Sequence, residues 1–176
     1  MIRLSLASFA RLDRPTPLLA DSVSQFDPSS SEPLDPESPL GRIRSGQTWI
    51  VNNRRRNGLI LVKEFYAEFA GPGAAVGGAI DSDCYAVIPL GDFELLEPKS
   101  VAERKTGYLT RLQWLKLIER AVARGDARQR SRKLLDLFEE FFDRSDIEKL
   151  PDLALAAIVG VMPKTVRMVR HGGRES

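Results

Sequence analysis

Hydrophobic residues in the second half of the chain recur every three or four positions, the spacing of a helix that buries one face. The first such segment carries them at Tyr108, Leu112, Leu115, Ile118 and Val122. The second carries a wider apolar set at Leu134, Leu135, Leu137, Phe138, Phe141 and Phe142. Gly125 interrupts the pattern between them, and Asp126 is a favourable N-cap for the second segment. The pattern predicts a long helix with a narrow apolar stripe, followed by a helix that belongs in a core.

Short runs of strand-forming residues alternate with turn residues between positions 41 and 98. Residues 48–51 and 59–62 are two such runs, and the Asn-Gly pair between them predicts a hairpin turn. Residues 84–90 predict a further strand. The glycine-rich segment 71–78 lacks the lysine and the Ser/Thr of a P-loop, so we interpret it as a turn. These signals predict a small β-unit.

A second pair of helices is predicted between residues 155 and 170. Ala156 is small where a second helix would cross the first, Gly160 suits the left-handed end of a helix, and Pro163 suits a first helical position. Two valines three residues apart in the second helix would turn inward. This spacing is typical of a helix-turn-helix motif. An ordinary helical hairpin with a solvated outer face remains the alternative.

The outer face of that second helix is basic, as contacts with DNA phosphates and base edges require. We therefore predict that double-stranded DNA is the partner. The predicted DNA-binding residues are Pro163, Lys164, Thr165, Arg167, Met168 and Arg170. The net charge of the chain is only +2, but residues 1–98 carry −4 and residues 99–176 carry +6. The basic half is thus the half with the motif, which favours a polyanionic partner.

Residues 1–40 are rich in proline, serine and acidic side chains, with too little apolar surface to offset the entropy of ordering. We predict a disordered or extended arm there, a β-domain at 41–98, a connecting and dimerisation helix at 99–125, and a DNA-binding domain at 126–176. The predicted dimer interface on the long helix consists of Leu112, Leu115, Ile118 and Val122. Packing of this stripe on the β-unit of its own chain is an equally weighted alternative.

The order of these elements resembles that of the Crp/Fnr family of bacterial transcription regulators, over roughly residues 41–171. The similarity is strongest in residues 155–170. Residues 126–137 resemble the helix that precedes the DNA-reading helices of the family. Residues 83–96 resemble the last strand of the family's β-roll, which runs into a short helix. The resemblance implies an α+β fold: a small, jelly-roll-like N-terminal β-roll, a long connecting helix and a C-terminal helix-turn-helix of winged-helix type. Because so few residues follow the reading helix, we expect the wing to be reduced or absent.

The chain departs from this family at the cyclic-nucleotide site. The family has a glycine, a ribose-binding glutamate and an apolar residue where this chain has Gly78, Ala79 and Ile80. The family also has a phosphate-binding arginine, whereas Asp81 and Asp83 follow here with no arginine. A phosphate there would meet two carboxylates and no cation. We expect no cyclic-nucleotide binding and no cofactor. The reading helix also differs from the family pattern, so its base preference cannot be carried over.

Other functional classes find little support. One cysteine and one histidine provide neither an internal disulfide nor a soft-ligand cluster for a metal, and no nucleophile, base and acid can be assembled around the single histidine. We expect no catalytic residues, no metal site and no enzymatic activity. No apolar run approaches the length of a membrane span, and the first residues lack a secretory signal, so we expect a cytoplasmic protein without a membrane partner.

These observations predict a sequence-specific DNA-binding transcription regulator that acts as a homodimer on a two-fold-related site, with RNA polymerase as a further partner. The alternative is a non-DNA-binding protein-interaction module derived from such a regulator. Salt-dependent binding to a DNA duplex would separate the two.

Overall fold

The computed structural model describes residues 35–172. Its fold is α+β, with two small antiparallel three-stranded sheets followed by helices. The strands are β1 (Thr48–Val51), β2 (Asn57–Val62), β3 (Ala67–Ala70), β4 (Ala75–Gly77), β5 (Ala86–Gly91) and β6 (Leu95–Leu96), with a 3₁₀ helix at Gly78–Asp81. The α-helices are α1 (Pro39–Arg44), α2 (Val101–Val122), α3 (Ala127–Phe141), α4 (Arg144–Ile147), α5 (Asp152–Val159) and α6 (Pro163–His171). Most of the predicted arm and of the segment that would form a wing lies outside the described residues.

Strands β1 and β2 do not form the predicted hairpin. Strand β1 lies between β4 and β6 in one sheet, whereas β2 lies between β3 and β5 in the other. Every residue of β2 is buried, so this strand is central and has partners on both edges. Asn57 belongs to the strand, and its amide donates to the Asn52 carbonyl at 2.9 Å. The Asn-Gly pair therefore lies at the start of a buried strand of the second sheet, just after the chain has crossed from the first sheet.

The segment after β5 also differs from what the family resemblance implies. Residues 92–94 form a loop, and residues 95–96 form strand β6 instead of a short helix. Strand β6 pairs with β1, placing Leu95 opposite Val51. The Asn52 amide fixes the loop by donating to the Glu94 carboxylate at 2.6 Å. Pairing with β1 thus satisfies backbone groups that the expected helix would have satisfied internally.

Helix α2 packs closely against both sheets. A Cβ atom on Gly107 would lie 2.4 Å from Ile50 Cδ1, and one on Gly71 would lie 2.2 Å from the Trp114 ring. Trp114 also packs edge-on against Phe69 of β3, with ring centroids 5.6 Å apart. Glycine at positions 71 and 107 therefore allows the helix to approach the sheets.

Helix α3 begins as the sequence predicts. The Asp126 carboxylate accepts from the Gln129 backbone N–H at 2.9 Å, and the Gln129 side chain accepts from the Asp126 N–H at 3.1 Å, which is a complete capping box. On the buried side of the helix, Phe138 packs against Phe69 of the second sheet, with ring centroids 4.8 Å apart. The prediction of a core helix is confirmed.

One hydrophobic core joins the second sheet to the C-terminal helices. It contains Ile60, Phe69 and Leu90 from the strands together with Leu134 and Leu155 from the helices. This core crosses the predicted boundary at residue 126. The apolar face of α3 covers the sheet of its own chain, so α3, α5 and α6 are packed on the β-unit. None of the helices within residues 35–172 is long and apolar enough to cross a membrane.

Candidate nucleic-acid interface

Helices α5 and α6 are joined by a three-residue turn. Gly160 ends α5 in the left-handed conformation, with φ +65°, and the Val161 N–H donates to the Ala156 carbonyl at 3.1 Å. Met162 is extended, and Pro163 occupies the first position of α6, where its missing N–H leaves no helical bond unmade. The local conformations predicted at Gly160 and Pro163 are confirmed.

The inner face of α6 is anchored in the core. Val166 and Val169 are 1% and 8% exposed, and they belong to the same apolar cluster as Ala156 and Leu155 of α5. Because two positions three residues apart are fixed by packing, the rotation of α6 about its own axis is also fixed. The opposite face is thereby directed outward.

The outward face of α6 carries exposed basic side chains together with a methionine and a histidine. Lys164 lies three and four residues before Arg167 and Met168, and His171 lies four and three residues after them; all four are exposed. Pro163 and Thr165 are partly buried at the helix start. The structure thus brings Lys164, Arg167 and Met168, all predicted DNA contacts, onto one accessible surface.

Arg170 has a different environment from the other predicted contacts. Its guanidinium donates to the carbonyls of Ile147 and Leu150 and to the Asp152 carboxylate, each at 2.8 Å, and its side chain is only 17% exposed. These bonds tie α6 to the segment before α5. Arg170 therefore fixes the position of α6 from its flank, and its donors are already occupied by the protein.

Asp152 holds both arginines of α6. Its Oδ1 accepts from Arg170, and its Oδ2 accepts from Arg167 Nε at 3.2 Å. The Arg167 side chain is 61% exposed, so this second bond lies at the surface, where an ion pair contributes little stability. Arg167 can therefore exchange Asp152 for another anion at small cost, and Arg170 cannot.

Arginines of α3 cap the ends of the two following helices. Arg130 Nη1 donates to the Val159 carbonyl at 3.2 Å, at the end of α5, and Arg132 Nη2 donates to the Val169 carbonyl at 3.4 Å, near the end of α6. A cation is favourable at the negative end of a helix dipole. The basic character of α3 thus serves in part to orient the outer helices.

A shallow basic groove, which we call the junction groove, lies where α2 gives way to α3. Its volume is about 360 Å³, and its lining residues are Arg124, Gly125, Gln129, Arg132 and Lys133. Lys133 Nζ donates to the Arg124 backbone carbonyl at 2.8 Å, which links α3 to the segment that follows α2. The sequence pattern predicts only a break at Gly125 followed by a family-like helix at 126–137. The missed signal was the presence of five basic residues among residues 124–133, on either side of a helix start.

An ionic cluster surrounds the buried Asp81, in the segment where the sequence resemblance implies a nucleotide-binding turn. Asp81, which is fully buried, accepts from Arg111 of α2 through Nη1 at 2.5 Å and Nη2 at 2.8 Å, and Lys63 lies 3.4 Å from it. Glu68 also pairs with Arg111, and Asp83 pairs with Lys63 at 2.9 Å. The expectation of two carboxylates without a cation here is wrong, because the fold brings Arg111 and Lys63 from distant positions. Each of the two cations thus has two carboxylate partners.

The protonation states follow from these contacts. Burial alone would lower the pKa of Lys63, but its bond to Asp83 and the charges of Glu68 and Asp81 outweigh burial and raise it. Desolvation likewise opposes the charge on Arg111, and the bonds to Asp81 and Glu68 outweigh it, so its pKa is also raised. Both cations therefore remain charged at neutral pH.

The predicted dimer interface is divided by the structure. Leu112 is 50% exposed and Leu115 is partly exposed, whereas Ile118 is 6% exposed within the chain's own core and Val122 packs against that core. Ile118 is therefore unavailable to a partner, because α2 turns this part of its surface toward α3. The stripe predicted as one interface lies on two faces of the helix.

The arginine-rich loop before β2 contacts the rest of the chain. Arg55 pairs with Asp92 at 2.6 Å and with Glu94 at 3.3 Å, and Arg56 lies 3.3 Å from Asp143.

Cys84 is buried, and burial raises the pKa of its thiol to about 12. Within residues 35–172, no group of three or more His, Cys, Asp or Glu side chains could hold a metal ion.

Neither a family model nor a curated protein matches the chain. The geometry of its own residues must therefore carry any functional argument.

Proposed function

We propose that this chain is a sequence-specific, DNA-binding transcription regulator of Crp/Fnr type, and that α6 is the helix that enters the major groove. The observation that carries the proposal is the division of α6 into an anchored face, with Val166 and Val169, and an accessible face, with Lys164, Arg167 and Met168. In this proposal, α5, its turn and α6 form the helix-turn-helix, and the two sheets form a reduced, jelly-roll-like β-roll.

The positions of Lys164 and Arg167 on α6 suggest that they contact different parts of the DNA. Lys164 lies in the first turn, from which side chains of a reading helix reach base edges. Arg167, one turn later, leaves Asp152 for a base edge or a phosphate. The junction groove then contributes cations to phosphates of the DNA backbone, which add affinity without reading sequence.

The ionic cluster favours a regulator without a cyclic-nucleotide signal. Asp81 and Arg111 neutralise each other in the interior, so the arginine is not presented to a ligand phosphate. The proposal includes a cytoplasmic location, a homodimer on a two-fold-related DNA site and RNA polymerase as a further partner.

Selection of bound duplexes from a random pool tests the proposal. We expect enrichment of a two-fold-related sequence, because two copies of α6 would read symmetric half-sites. The Lys164→Ala variant should lose preference at one position of each half-site, at a cost of about 1–3 kcal/mol. A pool without enrichment would contradict sequence-specific reading.

A non-DNA-binding protein-interaction module is the second candidate. It is favoured by Met162 and Met168, which are 48% and 42% exposed beside the basic residues of α6. Exposed methionines adapt to varied protein surfaces. This candidate predicts that no duplex is enriched, and that the affinity for DNA shows no dependence on Lys164.

A further inference from the structure

A surface groove of about 470 Å³ lies between the start of β1 and the first half of α2. Its apolar lining consists of Val101 and Leu109, which are 72% and 52% exposed. Arg104 and Lys105 are exposed beside them, and the described residues that line the groove include no acidic side chain. Exposed apolar surface with a polar rim is typical of an interaction site. The groove therefore suits a partner that is both apolar and acidic.

One wall of the groove is formed by contacts within the chain. The Tyr108 and Thr48 hydroxyls, which both line it, are 3.0 Å apart. Gly78 lies directly against them, because a Cβ atom there would be 3.2 Å from Thr48 Oγ1 and 3.4 Å from the Tyr108 hydroxyl. These contacts hold α2 to the first sheet at the groove. A partner therefore meets a wall that is already ordered, which lowers the entropic cost of binding.

The described part of the chain begins close to this groove. Asp35 lies against α1, since a Cβ atom added to Gly41 would overlap the Asp35 carbonyl oxygen. Helix α1 in turn lies against Gly77, where a Cβ atom would be 3.3 Å from the Ile43 carbonyl oxygen, and the next glycine along the chain touches the groove wall. Residues 28–35 span up to roughly 28 Å when fully extended. They can therefore bring the residues that precede them to the groove.

The charges of residues 1–34 indicate which part of this region suits a basic groove. Residues 1–14 contain three arginines and one aspartate, a net charge of +2, and the cations of the groove disfavour them. Residues 15–34 contain three acidic residues and neither lysine nor arginine, a net charge of −3. Within them, one stretch of ten residues combines large apolar side chains with two aspartates. These residues are Leu18, Leu19, Asp21, Val23, Phe26 and Asp27.

We propose that residues 18–27, which we call the acidic segment, bind the groove of their own chain. The apolar side chains of the acidic segment cover Val101 and Leu109, and its two aspartates lie beside Arg104 and Lys105. The tether through residue 35 gives the acidic segment a higher effective concentration at the groove than a separate molecule has. The contact requires neither DNA nor a second copy of the chain, so it goes beyond the proposed function.

Paramagnetic relaxation in the full chain tests this contact. A nitroxide attached to Ser24→Cys should broaden the amide signals of residues 101–109. The combined Asp21→Lys and Asp27→Lys variant should reduce this broadening at least about threefold, because it places like charges together at the groove. Adding Arg104→Glu and Lys105→Glu to that variant should restore the broadening. The native Cys84 is buried and should not take up the label.

Two controls show whether the contact is specific and lies within one molecule. Arg120→Glu reverses an exposed charge on the same helix outside the groove, and it should leave the broadening unchanged. A mixture of spin-labelled chain with unlabelled, isotope-enriched chain should show no broadening between molecules. Groove signals that do not respond to the label, broadening that survives the charge reversal in full, or broadening that arises only between copies would each overturn the proposal. These outcomes do not depend on whether the chain binds DNA.

Discussion

Arg111 and Asp81 lie thirty residues apart in the sequence and form a two-pronged ion pair in the interior. Arg111 comes from the middle of α2, and Asp81 ends the 3₁₀ helix after β4. The Asp81 carboxylate also binds the backbone, because its Oδ2 accepts from the Gly77 N–H at 2.8 Å. The pair therefore joins the long helix to the first sheet.

Removing one member of this pair should be strongly destabilising. Arg111→Met leaves Asp81 charged and fully buried without its main partner, and we expect a loss of about 3–5 kcal/mol in the free energy of unfolding. Urea denaturation measures this loss. The combined Arg111→Met and Asp81→Asn variant should recover part of it, since the uncompensated charge is gone.

Arg120→Met is the matched control, because it removes an exposed arginine from the same helix. We expect a change of no more than about 0.5 kcal/mol for it. If Arg111→Met were no more destabilising than this control, the proposed structural role of the pair would be wrong.

Cys84 should report unfolding through its reactivity. Burial raises the pKa of its thiol to about 12, so at pH 8 the folded chain presents neither an accessible thiol nor a thiolate. We expect labelling by a thiol reagent to occur only at the rate of unfolding. Since the folded pKa is the higher one, the contribution of the neutral thiol to stability is complete below the unfolded pKa, about 8.5, and falls as pH rises toward 12. Rapid labelling under native conditions would contradict the burial.

Two glycines should respond differently to alanine. At Gly160 a Cβ atom meets nothing within 4 Å, so Gly160→Ala pays only for the left-handed backbone, about 1–2 kcal/mol. At Gly107 the new Cβ atom would overlap Ile50 and Ala75, so Gly107→Ala must also displace α2 from the first sheet. We expect the larger fall in thermal midpoint for Gly107→Ala. Equal effects would show that α2 does not approach the sheet as closely as described.

Arg170→Ala should destabilise the fold more than Arg167→Ala. The first change removes three hydrogen bonds from a largely buried guanidinium, at a cost of about 1–3 kcal/mol, and the second removes one surface ion pair, at a cost below about 1 kcal/mol. Denaturant titration of the two variants compares them directly. If Arg167→Ala were the more destabilising variant, Arg170 and not Arg167 would be the arginine of α6 that is available to a ligand.

The sequence predicted those parts of the structure that depend on neighbouring residues. The Asp126 N-cap, the left-handed Gly160, the helix start at Pro163 and the inward turn of Val166 each follow from local chemistry. The predicted pairing of β1 with β2 is wrong, because strand partners depend on which surfaces meet across the chain.

The roles of the charged residues were harder to predict for the same reason. Arg170 has the periodicity of an outward residue, yet Ile147, Leu150 and Asp152 bind it from an earlier segment. The ionic partners of Asp81 come from positions 63 and 111, beyond the reach of any local pattern. The stripe predicted on α2 divides between two faces because Ile118 packs into the core of the chain while Leu112 faces outward. Sequence periodicity alone does not show where this division falls.

The most direct test of the central claim is the salt dependence of duplex binding, measured by fluorescence anisotropy with a DNA selected from a random pool. We predict that affinity falls steeply with salt, and that Lys164→Ala and Arg167→Ala each weaken binding while circular dichroism shows an unchanged fold. Combined removal of Arg124 and Lys133 should flatten the salt slope by about two units. Arg144→Ala, which removes an exposed arginine from α4, is the control and should leave the affinity unchanged. Folded α6 variants that bind the duplex as tightly as the unmodified chain would contradict the account.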